Sequence, residues 1–484
     1  MEMENLIKII NDISDGYEVY GVGGFVRDLL LKREHTDIDL AVRKDARKFA
    51  QHLSGVLKAK FVVLDDKSKI YRIMLSEKFP VKNIDVSAIE GKTILEDLKK
   101  RDFTVNAAAF KLQDFADYKK NLITVSAEVL KDLKAKTINA VSDNAFKDDP
   151  LRMLRAFRFA AELKFKISRQ TLSLIKKHAN SISAAAPERI KNELFRVLSA
   201  GNSSEFIEAM DKCSLLPALF GEIAKMKKAS KKYYYHPGGL FQHSFETMVS
   251  AENILNNLQE YFPDNAKEMH EHFFSSGEYS ENVTRANLLK FTALFHDSAK
   301  PETAKKDGPK MRFLGHEEMG AEKISEIMNT LKMGKKEISA AAFMVSKHMR
   351  PSTLTQNNVV THKASLKFFR DIGDNTPDLL ILSMADWHSY KKLKVHSKKE
   401  LASQEESVRK LIREFYELKN AKPLPKIING NIIMKEFGLK PGPWIGELVN
   451  LAVESQQEGK ISDTAGALKL LKSKLTQIKK KYKL

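Results

Sequence analysis

Two stretches near the N-terminus combine residue types whose spacing suits phosphate chemistry, Val22-Gly-Gly-Phe-Val-Arg-Asp28 and Thr36-Asp-Ile-Asp-Leu40. Adjacent glycines let the backbone turn tightly and approach a phosphate closely, and Gly24 and its neighbours can open a helix whose N-terminal amides favour an anion. Arg27 falls in the first turns of that helix, where its guanidinium can fork onto a triphosphate. The run from His35 to Val42 alternates as a strand does, so period two sets Asp37 and Asp39 on one face and sends Ile38 and Leu40 into the core. Two adjacent carboxylates repel each other unless a cation joins them, and hard oxygen ligands suit Mg²⁺. Either stretch alone also fits an ordinary turn and a polar-edged strand. In this order they are the equipment for moving a nucleotidyl group.

The elements that must position these residues are readable from hydrophobic periodicity. A helix is expected over Glu4 to Ser14, strands over Glu18 to Val22, Asp37 to Val42, Lys60 to Asp65, Tyr71 to Leu75 and Lys82 to Ala88, and a helix over Ala46 to Ser54. This α/β head ends near Ala145. From Pro150 onward helical spacing continues almost to the C-terminus, so the fold class expected is α+β. Ala224 to Pro237 and Lys419 to Gly430 read as boundaries.

A chain of 484 residues is too long for one core, and a net charge of +19 fits a polyanionic partner such as nucleic acid. The single cysteine, Cys213, excludes an internal disulfide framework and fits a reducing compartment. No apolar run reaches membrane-spanning length and the N-terminus lacks a secretory pattern, so a cytoplasmic protein with no membrane partner is expected.

Further chemistry follows at Glu96-Asp-Leu-Lys-Lys-Arg-Asp-Phe-Thr-Val-Asn-Ala107, where Arg101 can clamp phosphates and Asp102 can accept from a ribose hydroxyl. At Lys147-Asp-Asp-Pro-Leu-Arg-Met-Leu-Arg-Ala-Phe-Arg-Phe159, Asp149 before Pro150 marks a helix start. Arg152, Arg155 and Arg158 then recur every third position, a basic side whose charges repel without an anion. Glu188 and Arg189 are read as braces at the start of a later helix. Asp85, in Asn83-Ile-Asp-Val86, is read as a polar residue on an edge strand rather than a third metal ligand.

Val22 to Leu40, Leu98 to Ala107, Asp148 to Ala160 and Pro187 to Leu194 resemble the successive motifs of the class II tRNA nucleotidyltransferases, the CCA-adding enzymes and bacterial poly(A) polymerases. The resemblance spans roughly residues 20–200 and implies a polymerase-β-like head, a helical neck, and a helical body and tail. It implies that Gly24 and Arg27 contact the nucleotide, that Asp37 and Asp39 bind Mg²⁺, and that Arg101, Arg152 and Arg155 contact phosphates or nucleotide. Asp149 and Arg152 fall where that family reads the incoming base. One departure is Asp148-Asp149-Pro150, where the family usually has Glu-Asp-Pro. The activity implied is template-free addition to a tRNA 3′ end from CTP and ATP, with no stable protein partner.

Farther on, Tyr235-His-Pro-Gly-Gly-Leu-Phe-Gln-His-Ser244 precedes Leu294-Phe-His-Asp-Ser-Ala-Lys300, with Gly315-His316, Lys347-His348 and Ala385-Asp386 downstream. That order resembles the HD phosphohydrolase superfamily, which implies that His243, His296, Asp297 and Asp386 hold a divalent metal. Imidazole with carboxylate suits Mn²⁺, Ni²⁺ or Fe²⁺. His316 and His348 are candidates for extra ligands. The implied divisions are residues 1–145 for the head, 146–223 for the neck, 224–425 for the HD domain and 426–484 for a basic, RNA-binding tail. In the tail, Leu468, Leu471, Leu475, Ile478 and Tyr482 recur at helical spacing among lysines.

Three rivals share some of these features: a poly(A) polymerase, a chain acting mainly as an HD phosphohydrolase, and a non-enzymatic RNA-binding protein. The intact Asp37 and Asp39 pair opposes the last two. Asp85 and Asp102 are only 17 positions apart, leaving little room for the flexible loop that in CCA-adding relatives switches the site from CTP to ATP. A loop truncated here resembles that of relatives adding only the two cytidines.

Overall fold

The computed structural model describes residues 1–34, 36–229, 238–308, 310–355, 360–421 and 425–482. His35, Tyr235 to Pro237, Lys483 and parts of both expected boundary segments lie outside the described residues. Contacts divide the chain into two compact units, Met1–Glu252 with Phe274–Val345, and Asn253–Phe273 with Ser346–Leu484.

The first unit begins with helix α1 (Met3–Asp12) and a seven-stranded sheet. Its strands are β1 (Val19–Val22), β2 (Asp37–Val42), β3 (Lys60–Asp65), β4 (Ile70–Met74), β5 (Asn83–Ala88), β6 (Ala108–Lys111) and β7 (Ile123–Thr124). They lie in the order β3-β4-β5-β2-β1-β6-β7, and only the β2–β5 pair is parallel. Helix α2 (Gly23–Leu31) leaves β1 directly, and α3 (Ala46–Leu57) opens where the Asp45 side chain accepts from the Lys48 amide. Ile38 and Leu40 are buried, as their alternation requires, while the carboxylates of Asp37 and Asp39 occupy the other face.

The first five expected strands are present to within about two residues at each end, a margin typical of boundary assignment. β6 and β7 carry no alternating signal. Ala108, Ala109 and Phe110 are all buried, because β6 is covered on both faces and pairs with β1 through Tyr20↔Lys111 and Val22↔Ala109.

Helices α4 (Ile94–Lys99), α5 (Glu128–Ala135) and α6 (Ala145–Asp148) lead into α7 (Arg152–Leu163), α8 (Arg169–His178) and α9 (Pro187–Leu198). On α7, Met153, Leu154, Phe157 and Ala160 are fully buried and α9 packs against it. Later in this unit, every residue of the Arg285–Phe295 helix is buried, and a Thr284–Asn287 capping box fixes its start. Among the described residues the helical run is interrupted by a short strand, Lys166–Ile167, paired in parallel with Thr137–Ile138, and by a hairpin, Lys305–Asp307 with Lys310–Arg312.

The second unit is helical, with long helices at Thr376–Ser389 and Lys398–Asn420. Its last three helices, Gly430–Phe437, Pro443–Gln457 and Thr464–Tyr482, close over Ile433, Leu448, Ala452, Ala467 and Leu471. The expected apolar stripe of the tail faces this core, and Lys469, Lys472, Lys474, Lys479 and Lys480 are exposed. No described helix is long and apolar enough to cross a membrane.

Candidate active site

The turn after β1 presses the backbone against the second carboxylate of β2. Gly23 sits at φ +62°, and a Cβ built on Gly24 would lie 3.0 Å from Asp39 Oδ2. The Phe25 amide, in the first turn of α2, donates to that same oxygen at 3.2 Å. Asp37 accepts at Oδ1 from Asn83 Nδ2 at 2.8 Å and at Oδ2 from the Thr36 hydroxyl at 3.1 Å. Burial and the neighbouring Asp85 charge raise the Asp39 carboxyl above its ordinary range, and Arg101, the Phe25 amide and Arg27 oppose that. A buried carboxylate with acidic neighbours is a group that a hard divalent cation stabilises in its ionised form, so the donor set fits such an ion.

Asp85 does not lie on an edge strand. The β3–β4 hairpin folds back antiparallel onto β5, which places β5 inside the sheet, and the parallel register sets Asp85 beside Asp39. Its two oxygens accept from Arg72 Nε and Nη2 at 2.7 and 2.8 Å. A signal for this existed in the chain. Asn83-Ile-Asp repeats the Asp37-Ile-Asp pattern, and the two triplets lie in register on neighbouring strands.

The arginines form a connected system. Arg101 donates through Nε and Nη2 to Asp97 Oδ2 at 3.1 and 2.8 Å. Buried Asp102 accepts from Arg155 Nε and Nη2 at 2.9 and 2.7 Å, from Asn106 Nδ2 at 3.0 Å and from the Phe103 amide at 2.8 Å. Burial alone would raise its carboxyl, yet the Arg155 charge and these donors bring it down to about 2. Asn106 Oδ1 in turn accepts from Arg27 Nη1 at 2.9 Å, and Arg27 forks onto Asp28 at 2.9 Å. Arg158 donates to Glu193 and Glu162, and Glu162 also pairs with Arg196. The guanidinium carbons of Arg27, Arg155 and Arg158 stand 5.4, 5.2 and 4.0 Å from the centre of the Phe159 ring.

The expected repulsion along α7 is therefore relieved by protein groups. Arg155 and Arg158 face carboxylates, and Arg152 donates to the Lys100 and Ala145 carbonyls. α7 starts at Arg152, later than expected, and Asp149 stands in the turn before it, its Oδ1 accepting from the Leu151 amide at 3.0 Å. Its Oδ2 accepts from Arg189, which thereby reaches the site instead of only bracing the neck. Gly24, Arg27, Asp37, Asp39, Arg101, Asp102, Asp149, Arg152 and Arg155 all line one cavity of about 870 Å³, together with Asp85 and Arg189.

A second constellation lies elsewhere in the first unit. The Nε2 atoms of His243, His296 and His316 stand 3.2, 3.4 and 3.5 Å from the carboxylate oxygens of buried Asp297. His296 Nδ1 lies 2.8 Å from the Ala293 carbonyl and His316 Nδ1 2.7 Å from the Phe313 carbonyl. A carbonyl only accepts, so each Nδ1 turns its N–H to a backbone oxygen and each Nε2 faces the carboxylate. That arrangement calls for a cation or additional protons between them. Burial would raise the Asp297 carboxyl, but His296, Lys300 and His243 hold it well below its ordinary range. Asp386 and His348 belong to the second unit, Asp386 on the Thr376–Ser389 helix and His348 just before the Met349–Thr355 helix.

Known protein families match three successive segments of the chain. A poly(A) polymerase head domain matches residues 19–139, a probable RNA- and SrmB-binding site of polymerase A matches 164–227, and an HD domain matches 240–391. A CC-adding tRNA nucleotidyltransferase of Thermus thermophilus is 29% identical over 451 residues, covering 92% of this chain and 91% of that protein. An A-adding tRNA nucleotidyltransferase of Deinococcus radiodurans is 26% identical over 459 residues, covering 91% and 92%. The structure of a Thermotoga maritima CCA-adding enzyme complexed with tRNA superposes with a TM-score of 0.64 at 22% identity, covering 98% of this chain and 96% of that one. With its head, RNA-binding and HD segments in that order, this chain is similar along nearly its whole length to tRNA nucleotidyltransferases.

Proposed function

We propose that the chain is a template-independent nucleotidyltransferase that extends the 3′ end of tRNA from nucleoside triphosphates, CTP above all, releasing pyrophosphate. The observation that carries this reading is the pairing of Asp37 and Asp39 with the Gly23–Gly24 turn and the arginine set in one cavity. Nucleotidyltransferase and HD domains generally use divalent metals, and in the head Asp37 and Asp39 would hold Mg²⁺. When bound there, Mg²⁺ lowers the pKa of the attacking 3′-hydroxyl and steadies the leaving oxygens. The residues of the chain do the remaining work. The Gly23–Gly24 backbone admits the triphosphate, Arg101 and Arg27 face its charge, and Asp102 holds Arg155 in place for the nucleotide. Asp149 and Arg152 present an acceptor and a donor to the base edge. Residues 1–145 would thus supply the chemistry, 146–223 nucleotide recognition and 426–484 an RNA-binding tail, with the activity in the cytoplasm.

The product we favour ends at CC. Only residues 89–93 connect β5 to α4, and the Glu90 and Lys92 amides are tied to Asp97 and Glu96. A mobile switching loop has no room there, and the Thermus relative is named for CC addition. Incubating the protein with tRNA trimmed of its 3′ end and each labelled triphosphate tests both points. Two cytidines and no efficient adenosine addition are expected. Long adenosine tracts on generic RNA would instead indicate a poly(A) polymerase.

A second activity is favoured by the histidine array around Asp297. With His243, His296 and Asp297 as ligands to Mn²⁺, Ni²⁺ or Fe²⁺, the HD domain would hydrolyse phosphate esters at RNA ends and make damaged ends extendable.

A further inference from the structure

Three adjacent strands place Arg72, Asp85 and Asp39 in one row: Arg72 of β4 opposes Asp85 of β5, and Asp85 opposes Asp39 of β2. Neighbouring strands are about 4.8 Å apart, so a third carboxylate stands one strand spacing from the acidic pair. Asp85 nevertheless faces the other way along the row. Arg72 forks onto it, Nε to Oδ1 at 2.7 Å and Nη2 to Oδ2 at 2.8 Å, which engages both oxygens at once. The Arg72 side chain is 35% exposed and that of Asp85 21%, so the fork is half-buried at the sheet face, and of the two residues Asp85 lines the cavity. The Arg72 charge also acts on Asp37 and Asp39 across the same sheet face. Asn83 fixes Asp37 in the parallel position of the row above, so the two metal-facing carboxylates and the withheld one are each oriented by a separate partner.

We infer that Arg72 is a positioning residue that withholds Asp85 from the cation site, leaving Asp37 and Asp39 as its carboxylates and keeping divalent metal weakly held. Weak retention suits a reaction in which a cation enters with a triphosphate and departs with pyrophosphate. A site with three free carboxylates would hold the ion after turnover and would favour larger cations that take more oxygen ligands. This inference rests on the reading of Asp37 and Asp39 as metal ligands.

The test is Mn²⁺ binding to the full-length protein without nucleotide, read by the electron paramagnetic resonance of free Mn²⁺. The ions bound by wild type and lost in Asp39→Asn define the head site and separate it from any metal in the HD domain. Arg72→Met tightens that site by about tenfold, because a cation is removed and Asp85 is freed. Asp85→Asn weakens it by a similar factor, since Arg72 is left without its counter-charge. The double variant restores the local net charge and returns to within about threefold of wild type, and Arg72→Lys stays near wild type. Unchanged affinity in Arg72→Met, or a double variant that binds as tightly as Arg72→Met, overturns the inference. A residue that only braces the sheet would lower Tm and leave metal affinity alone, which overturns it equally. Should Arg72→Met not fold, Asp85→Asn decides: weakened binding supports the inference and unchanged binding overturns it. A wild type without any Asp39-dependent Mn²⁺ site overturns the underlying metal reading instead.

Discussion

Asp102 and Arg155 are 53 positions apart, and the carboxylate of one receives both Nε and Nη2 of the other at 2.9 and 2.7 Å. Asp102 follows α4 in the head, whereas Arg155 lies on α7 of the neck. Through Asn106 the same carboxylate is tied to Arg27, and through Glu193 Arg155 approaches Arg158. The arginines on the two sides of the cavity are therefore oriented by one buried network, and a change in any member is felt by the others.

Asp102→Asn tests that network through pH. Its folded pKa, about 2, lies below the ordinary value near 4, so its stabilising contribution is present above pH 4 and is lost as pH falls toward 2. The substitution is expected to lower unfolding free energy by about 2 kcal/mol at pH 7, with the gap to wild type closing below about pH 4. Denaturant unfolding at several pH values measures it. A gap that does not change with pH would show that Arg155 is held by other groups.

Asp39→Asn and Asp37→Asn are expected to reduce nucleotide incorporation on the order of 10³-fold or more. Stability should move the other way at Asp39. Its raised pKa means that the ionised group is a burden on the folded state at pH 7, so Tm in chelator is expected to hold or rise in Asp39→Asn. Near-wild-type incorporation in Mg²⁺ by either variant would remove the pair from the mechanism.

Gly24→Ala probes closeness without removing a functional group. The added Cβ would stand 3.0 Å from Asp39 Oδ2 and 3.4 Å from Arg27 Nη2, so the carboxylate has to shift. Incorporation is expected to fall about tenfold or more, while Tm stays within a few degrees of wild type. Steady-state kinetics with CTP, alongside calorimetry, distinguishes this from simple unfolding.

His296→Ala combined with Asp297→Ala is expected to remove bound transition metal and any phosphatase or phosphodiesterase activity while sparing nucleotide addition. The expectation follows from the separate cavity of the head residues and from the Nε2 atoms of His296 and His316 that face the Asp297 carboxylate. Elemental analysis before and after reconstitution measures the metal. Wild-type protein that retains none after reconstitution would rule the HD site out as a metal centre.

What the amino-acid order determined by itself is local. The Gly23–Gly24 turn, the alternation that separates Asp37 and Asp39 from Ile38 and Leu40, the Asp149–Leu151 turn ahead of α7 and the apolar stripe of the tail all depend on neighbours within a few positions. Motif order then pointed to the family, and the nine head and neck candidates do meet in one cavity. Tertiary structure alone decided which strand lies beside which. Asp85 looked like a polar edge residue until the β3–β4 hairpin enclosed β5, and β6 was invisible because a strand covered on both faces has no alternation to read. It also decided that the carboxylates answering Arg155 and Arg158 from other elements are Asp102 and Glu193, and that Arg189 reaches Asp149. Such pairings join residues tens of positions apart, and they are selected by the packing of whole elements, which no spacing within one element encodes.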